Sequence, residues 1–142
     1  MAIIHRDTDY ALRAMVHLAH SAETEPVSVL AEDESVPEDF LRKIMQRLKT
    51  AGLVESSQGP FGGYGLARSA DRITLHDVVK AVQGPLTVNA CFDDPEICEN
   101  VKVCALRRRL GTLQKEIESW FDGINLADIA AGMQVETEEK SR

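Results

Sequence analysis

The chain has 142 residues and is 44% hydrophobic, which suits one packed domain with an appended element and excludes two large domains. It has neither an apolar run of the roughly twenty residues that a membrane span needs nor a signal-peptide stretch, so we expect a cytoplasmic protein without a membrane partner. Its formal net charge of -7 repels polyanions, so any nucleic-acid binding must come from local basic clusters, which favours selective sites over general coating.

Two helices are predicted at the start of the chain. Between residues 10 and 19, apolar side chains recur at every third or fourth position, which indicates an amphipathic helix, and Thr8 is placed to cap it. A polar stretch then ends at Pro26, and residues 27–34 can form a second helix of about two turns.

A third helix is predicted from the Ser35-x-x-Glu38 pair, whose spacing is that of a capping box, to Gly52. One face of this helix is apolar and consists of Phe40, Leu41, Ile44, Met45 and Leu48. The other positions are largely basic and carry Asp39, Arg42, Lys43, Gln46, Arg47 and Lys49. A basic face predicts contact with nucleic acid, although a merely solvated helix face has the same composition.

Two short extended segments, residues 53–56 and 64–67, predict a hairpin with a glycine-rich tip. Three helices followed by a two-stranded wing is an element order found in DNA-binding domains, where the last of the three helices enters the major groove. Gly62 and Gly63 permit positive backbone dihedrals and close approach to a sugar-phosphate chain, although a plain tight turn needs the same geometry. A capping pair, Thr74 with Asp77, then predicts a helix that completes a DNA-binding domain of residues 1–85.

The next segment, residues 86–105, is predicted as a loop because it lacks sustained periodicity, and it holds the three cysteines of the chain, Cys91, Cys98 and Cys104. An odd number of cysteines does not suit a closed disulfide framework, and clustered thiols in a cytosolic chain indicate metal or redox chemistry. Their spacing is not the Cys-x2-Cys pairing of zinc fingers, but a structural zinc site stays open.

A long C-terminal helix with a return to residue 133 is predicted after the loop. Its apolar residues step by four and three, in the order Leu106, Leu110, Leu113, Ile117, Trp120 and Ile124. Such a repeat needs a partner helix, so we expect a homodimer interface along it. The polar residues 134–142 predict a disordered tail.

Several segments of the chain follow one another in an order typical of one protein family. They are Asp9-Tyr10-Ala11-Leu12-Arg13-Ala14-Met15, Phe40-Leu41-Arg42-Lys43-Ile44, Ala51-Gly52-Leu53-Val54, Gly59-Pro60-Phe61-Gly62-Gly63-Tyr64-Gly65-Leu66-Ala67, Ile73-Thr74-Leu75-His76-Asp77-Val78-Val79 and Ile124-Asn125-Leu126-Ala127-Asp128. Together they resemble the Rrf2 family of bacterial transcription regulators over nearly the whole chain. The resemblance implies a mainly α winged helix-turn-helix domain, a long dimerisation helix and binding of double-stranded DNA at near-palindromic operators. It also implies an iron-sulfur cluster, 2Fe-2S or 4Fe-4S, that three cysteines of one subunit hold at the dimer.

Two positions matter when the resemblance is carried over to DNA contact. Arg42 falls where the third helix of some members reads a base edge, with Lys43 and Arg47 expected nearer the DNA backbone. Gln58 falls where the wing often carries arginine. Because that cation is absent here, the operator preference of other members does not transfer to this chain.

The fourth ligand of the implied cluster is a separate question. One sub-family uses a histidine three residues after the last cysteine, but Arg107 stands there, and a guanidinium cannot ligate iron. Nitric-oxide-sensing members use an N-terminal aspartate of the other subunit, and the matching position here is Asp9. An aspartate there is also favoured by the helix dipole, and Glu96 and Glu99 are competing donors.

The sequence therefore predicts a dimeric, cluster-dependent repressor that senses nitric oxide, iron supply or redox state. It does not indicate which cluster state binds DNA. One alternative is a metal-free regulator of the same fold that senses by thiol oxidation. A small thiol redox enzyme is a further alternative, although no histidine stands near the cysteines in sequence as an evident base.

Overall fold

The computed structural model describes residues 2–140, without the side chains of residues 134–139. Within that range the elements are α1 (Arg6–Ser21), α2 (Val27–Asp33), α3 (Glu38–Thr50), β1 (Val54–Ser57), β2 (Gly63–Leu66), α4 (Leu75–Gln83), α5 (Ala90–Asp93), α6 (Ala105–Asp122) and α7 (Leu126–Lys140), with single 3-10 turns at Ala70–Arg72 and Pro95–Ile97. The mainly helical winged-helix fold is confirmed.

The core is built around α1, which packs against α3, α4 and α7. Its buried side chains are Ala11, Ala14, Met15 and Leu18 on α1, with Leu41, Ile44, Met45 and Leu48 on α3. Phe40 was predicted on the same apolar face of α3, but its side chain is 45% exposed and contacts the edge of Tyr10 instead. Burial of one face of α3 leaves its polar face directed outwards.

Both predicted N-caps in the first half of the chain are wrong. Helix α1 begins at Arg6 after His5, and Thr8 lies fully buried in its first turn. Ser35 makes no cap on α3, which begins at Glu38. Ser35 instead ends α2, in a left-handed conformation with φ 55°, because its amide and that of Val36 donate to carbonyls in the last turn of α2.

The wing follows α3 directly. Gly52 adopts φ 76° and Leu53 donates its amide to the Leu48 carbonyl at 3.0 Å, which closes the end of α3. Strands β1 and β2 pair antiparallel from Val54 opposite Leu66 to Ser57 opposite Gly63, which confirms the hairpin. Glu25 forms a further bridge with Tyr64, so the wing is attached to the segment before α2.

The C-terminal half folds back on the winged helix. The capping pair of Thr74 and Asp77 is confirmed at the start of α4. The cysteine segment contains α5 and a 3-10 turn rather than only loop. Helix α7 packs on α1 through the fully buried Leu126.

The tail predicted as disordered is helical as far as Lys140, and residues 141–142 lie outside the described residues. Glutamate, glutamine and lysine are good helix formers, so a polar composition did not prevent α7 from continuing. Over the described part of the chain, none of the helices has the length and hydropathy of a membrane-spanning segment.

Candidate DNA-binding surface and cysteine cavity

A groove of about 460 Å³ runs between α3 and the wing. Its lining residues are Pro26, Val27, Ser28, Glu38, Arg42, Gln46, Lys49, Ser56, Ser57, Gln58, Gly62, Gly63 and Tyr64. Five of these were candidate DNA contacts from the sequence, namely Arg42, Gln46, Gln58, Gly62 and Gly63. The structure therefore brings residues of the third helix and of the wing to one concave surface.

Side-chain hydrogen bonds cross this groove. The Gln46 amide donates to the Tyr64 hydroxyl at 2.7 Å, and the Lys49 ammonium donates to the Ser56 hydroxyl at 2.7 Å. Both bonds join α3 to the wing, so the two elements present one connected surface. Amide, ammonium and guanidinium groups are the donors that proteins direct at base edges and phosphates.

Lys49, which the sequence placed on the basic face of the third helix but not among the individual DNA contacts, also lines the groove. Arg42, Gln46 and Lys49 are spaced at i, i+4 and i+7, which places them on one helix face, and that spacing was visible in the sequence. Arg47 lies on another face, where its guanidinium is 3.7 Å from the Asp7 carboxylate and donates to the Val82 carbonyl at 3.4 Å. Lys43 is exposed and does not line the groove.

The two wing glycines differ in what they require. Gly63 has φ 149°, and a methyl group there would overlap the backbone of Glu25. Gly62 does not have a positive φ, contrary to the sequence-based expectation, and its requirement is space, because a methyl group would overlap the Ser57 carbonyl. Both glycines therefore serve the packing of the wing.

A second cavity, of about 280 Å³, is lined by all three cysteines. Cys91 lies on α5, Cys98 follows the second 3-10 turn, and Cys104 is the N-cap residue of α6. All three thiols are free, and Cys98 is the exposed one. The remaining lining residues are Asn89, Ala90, Ile97, Val101 and Arg107.

Of the residues that the structure describes, Arg107 is the one cation that lines the cavity, near the start of α6. The Arg107 amide donates to the Cys104 sulfur at 3.4 Å, and the Arg107 guanidinium lies 4.7 Å from the centre of the Phe92 ring. Its Nε is buried and has no hydrogen-bond partner among the described residues. Arg107 and the N-terminus of α6 therefore lie at the side of the cavity that Cys104 lines.

Three thiols are a donor set that iron-sulfur clusters use in proteins. In the described part of the chain, no three histidine, cysteine or acidic side chains are grouped to hold a single metal ion. A single ion needs its ligands within about 2.3 Å of one point, whereas a cluster offers several iron atoms to thiolates placed around it. Three thiols around one cavity fit the second requirement.

Carboxylates of the same chain do not complete this site. Asp9 is 3.3 Å from the Arg13 guanidinium and does not line the cavity. Glu96 and Glu99 are exposed and also lie outside the lining. Among the described residues, the candidate ligands that line the cavity are therefore the three cysteines.

The predicted dimer stripe is solvent-exposed along one row of α6. Leu106, Leu113 and Trp120 are spaced by seven residues and are 64%, 44% and 58% exposed. Leu110 and Ile117 of the neighbouring row are half-buried against the chain's own domain. An apolar row of this length in water is typical of a surface that a partner covers.

Comparisons with known proteins agree with this fold. The model of the Rrf2 family, described as an iron-dependent transcriptional regulator, matches residues 4–132. The transcriptional regulator IscR of Aliivibrio salmonicida is 30% identical over 129 residues, which are 89% of this chain and 76% of that protein. The solved structure of CymR, titled the global cysteine regulator of B. subtilis, aligns with a TM-score of 0.74 at 26% identity and covers 92% of this chain and 98% of its own. T. potens IscR aligns with a TM-score of 0.73 at 26% identity, covering 98% and 90%.

Proposed function

The chain belongs to the Rrf2 family of DNA-binding transcriptional regulators and is not an enzyme; from that premise we propose that it is a homodimeric repressor whose DNA affinity depends on an iron-sulfur cluster. The observation that supports the sensor assignment is the single cavity lined by all three cysteines. The protein would act in the cytoplasm, where bacterial DNA is, on a near-palindromic operator that matches its two-fold symmetry.

The groove between α3 and the wing is the proposed operator contact. Arg42 carries a planar pair of donors suited to the acceptor edge of guanine, and Gln46 carries an amide suited to adenine. Lys49 offers a compact charge for a phosphate. Lys43 and Arg47 extend the charged surface outside the groove and are expected nearer the DNA backbone, as the sequence predicted.

The cysteine cavity is the proposed sensor. Cys91, Cys98 and Cys104 would hold the cluster, and Asp9 of the partner subunit remains the proposed remaining ligand. When bound, such a cluster supplies iron that reacts with nitric oxide or oxidants and that is lost when iron is scarce. Arg107 and the N-terminus of α6 would stabilise the negative charge of the thiolates.

A change in the cluster can affect the DNA-binding domain through the segment before α5 and through α6. The Gln114 amide of α6 donates to the Leu86 carbonyl at 2.6 Å and accepts from the Val88 amide at 2.9 Å. The same helix ends at Asp122, which is 2.7 Å from His76 on α4. A shift of α6 in the dimer would therefore move elements that pack on α1 and α3.

Selection from a random pool of DNA duplexes tests the regulator proposal. We expect the purified dimer, in one of its two cluster states, to enrich a near-palindromic sequence. If neither state enriches any sequence, the proposal fails at its first step.

Anaerobic purification tests the sensor proposal. We expect a visible absorption spectrum with bound iron and sulfide, and its loss when any one cysteine is changed to alanine. The Asp9→Ala protein should keep a cluster with an altered spectrum or altered reaction with nitric oxide. Protein without iron or sulfide that loses DNA binding on thiol oxidation would instead support a metal-free thiol regulator. An Asp9→Ala protein identical to wild type would reject only the fourth ligand.

A further inference from the structure

Phe61 stands at the tip of the wing with its side chain 93% exposed, the most exposed of the large hydrophobic residues that the structure describes. A lone exposed apolar side chain is common on protein surfaces and assigns nothing by itself. The position of Phe61 and the chemistry around it distinguish it from the other exposed hydrophobic residues.

The turn that carries Phe61 is closed by a backbone hydrogen bond. The Gly62 amide donates to the Gly59 carbonyl at 3.0 Å, which closes a four-residue β-turn. Pro60 fixes φ at the second position, and Phe61 at the third position does not have a positive φ, as in a type I turn. The phenyl ring is thus held outwards with little backbone freedom to lose on binding.

The wing has no cation with which to contact DNA. From Val54 to Leu66 the chain contains no lysine, arginine or histidine, and Glu55 is its only charged residue. A wing that approaches DNA with these side chains cannot neutralise phosphates. The largest exposed apolar side chain of the wing is the ring of Phe61.

The tip is also held beside the groove between α3 and the wing. Tyr64 of β2 exchanges two backbone hydrogen bonds with Glu25, at 2.8 and 2.9 Å. The Tyr64 hydroxyl accepts from Gln46 of α3, and Gln58 and Gly62 on either side of the tip line the groove. When α3 lies in the major groove, the wing is therefore placed against the neighbouring stretch of the duplex.

We propose that Phe61 is an apolar wedge that enters the minor groove next to each operator half-site and partly unstacks one base step. This inference rests on the proposed function. Phenylalanine and other apolar side chains that enter the minor groove kink DNA towards the major groove. Flexible pyrimidine-purine steps such as TA and CA unstack most easily, so the wedge would also select these steps at positions that form no hydrogen bond with the protein.

The test uses the full-length dimer and a duplex of its selected operator with a fluorescent dye at each end. Wild-type protein should shorten the distance between the dyes by bending the DNA. Phe61→Ala should leave the duplex nearly straight and bind about ten-fold more weakly, with the slope of affinity against salt unchanged because no phosphate contact is lost. Because the ring is almost fully exposed, the melting temperature of the variant should equal that of wild type.

Two variants serve as controls. Phe61→Leu should keep most of the bend, because leucine is also an apolar wedge. Phe40→Ala removes an exposed aromatic residue of α3 that does not line the groove, and it should leave the bend unchanged. A Phe61→Ala protein that bends the operator and binds it as wild type does would overturn the inference, as would wild type bound to a straight operator. Failure of wild type to select any sequence would instead reject the proposed function.

Discussion

Arg42 enters the groove already hydrogen-bonded, with its guanidinium 2.8 Å from the Glu38 carboxylate. Both side chains are about half exposed, so this ion pair is worth at most about 1 kcal/mol and exchanges readily for another partner. The pair nevertheless holds the guanidinium on the groove side of α3. The Arg42 guanidinium is therefore already oriented towards the groove. It can donate to a base acceptor, either in place of Glu38 or together with it, without first adopting a new rotamer.

The first prediction concerns what Arg42 and Lys43 contribute to DNA binding. Arg42→Ala should relax base preference at one position of each half-site, because a bidentate contact to a base discriminates by about 1–3 kcal/mol. Lys43→Ala should weaken binding to all sequences alike and lower the salt slope by about one unit. Titrations of selected and scrambled duplexes at several salt concentrations measure both effects. A similar loss for both variants on both duplexes would contradict the assigned roles.

At the scale of elements, one buried polar residue of α6 holds the segment before α5. Gln114 is 7% exposed, the only buried side chain of α6, and it bonds the Leu86 carbonyl, the Val88 amide and the Glu118 carboxylate. The segment that it holds leads directly into α5, which carries Cys91. The segment that leads to the first cysteine is therefore anchored to the predicted dimer helix.

The second prediction is that Gln114→Leu loosens this attachment. The Leu86 carbonyl and the Val88 amide would be left without partners, which should lower the free energy of unfolding by about 1–3 kcal/mol. If the segment also places Cys91, the variant should lose iron faster than wild type on anaerobic dilution. Lys115→Ala, on an exposed neighbouring position of α6, is the control and should change neither quantity. If Gln114→Leu retains iron as wild type does, the contacts of Gln114 do not influence the cysteine cavity.

At the scale of the whole molecule, the chain is one packed unit with an apolar row left uncovered. Helix α7 closes the core over α1, while α6 shows Leu106, Leu113 and Trp120 to solvent. In a two-fold dimer each row would pack against its copy, which removes both from water. The same pairing would set the distance between the two copies of α3 and hence the half-site spacing.

The third prediction tests this interface. Leu106→Asp combined with Leu113→Asp should convert the dimer to a monomer, because the interface would bury unpaired charges. Both positions are exposed within the chain, so the monomer should remain folded. Sedimentation velocity measures the mass and circular dichroism the fold. Arg108→Asp with Lys115→Asp, also seven residues apart and exposed, should stay dimeric, whereas a dimeric Leu106/Leu113 variant would place the interface elsewhere.

The sequence by itself determined the features that depend on neighbours along the chain. Helical periodicity identified α1, α3, α4 and α6, and the capping pair at Thr74 was right because its bonds span only three residues. The wing was predictable because glycines separate two short extended runs. Membership of the family could likewise be inferred from motifs in a fixed order.

Tertiary structure alone decided which of the competing local bonds form and which faces meet. Ser35 has the spacing of a cap but ends α2, because carbonyls of the previous helix were free to accept its backbone. Local spacing also could not show that Arg47 turns to Asp7 while Lys49 faces Ser56, or that α7 packs on α1. The three cysteines needed no such contact, because the cavity that they line is built from residues 89–107. The contacts of Arg47 and of α7 join elements distant in sequence, whose energies no local pattern contains.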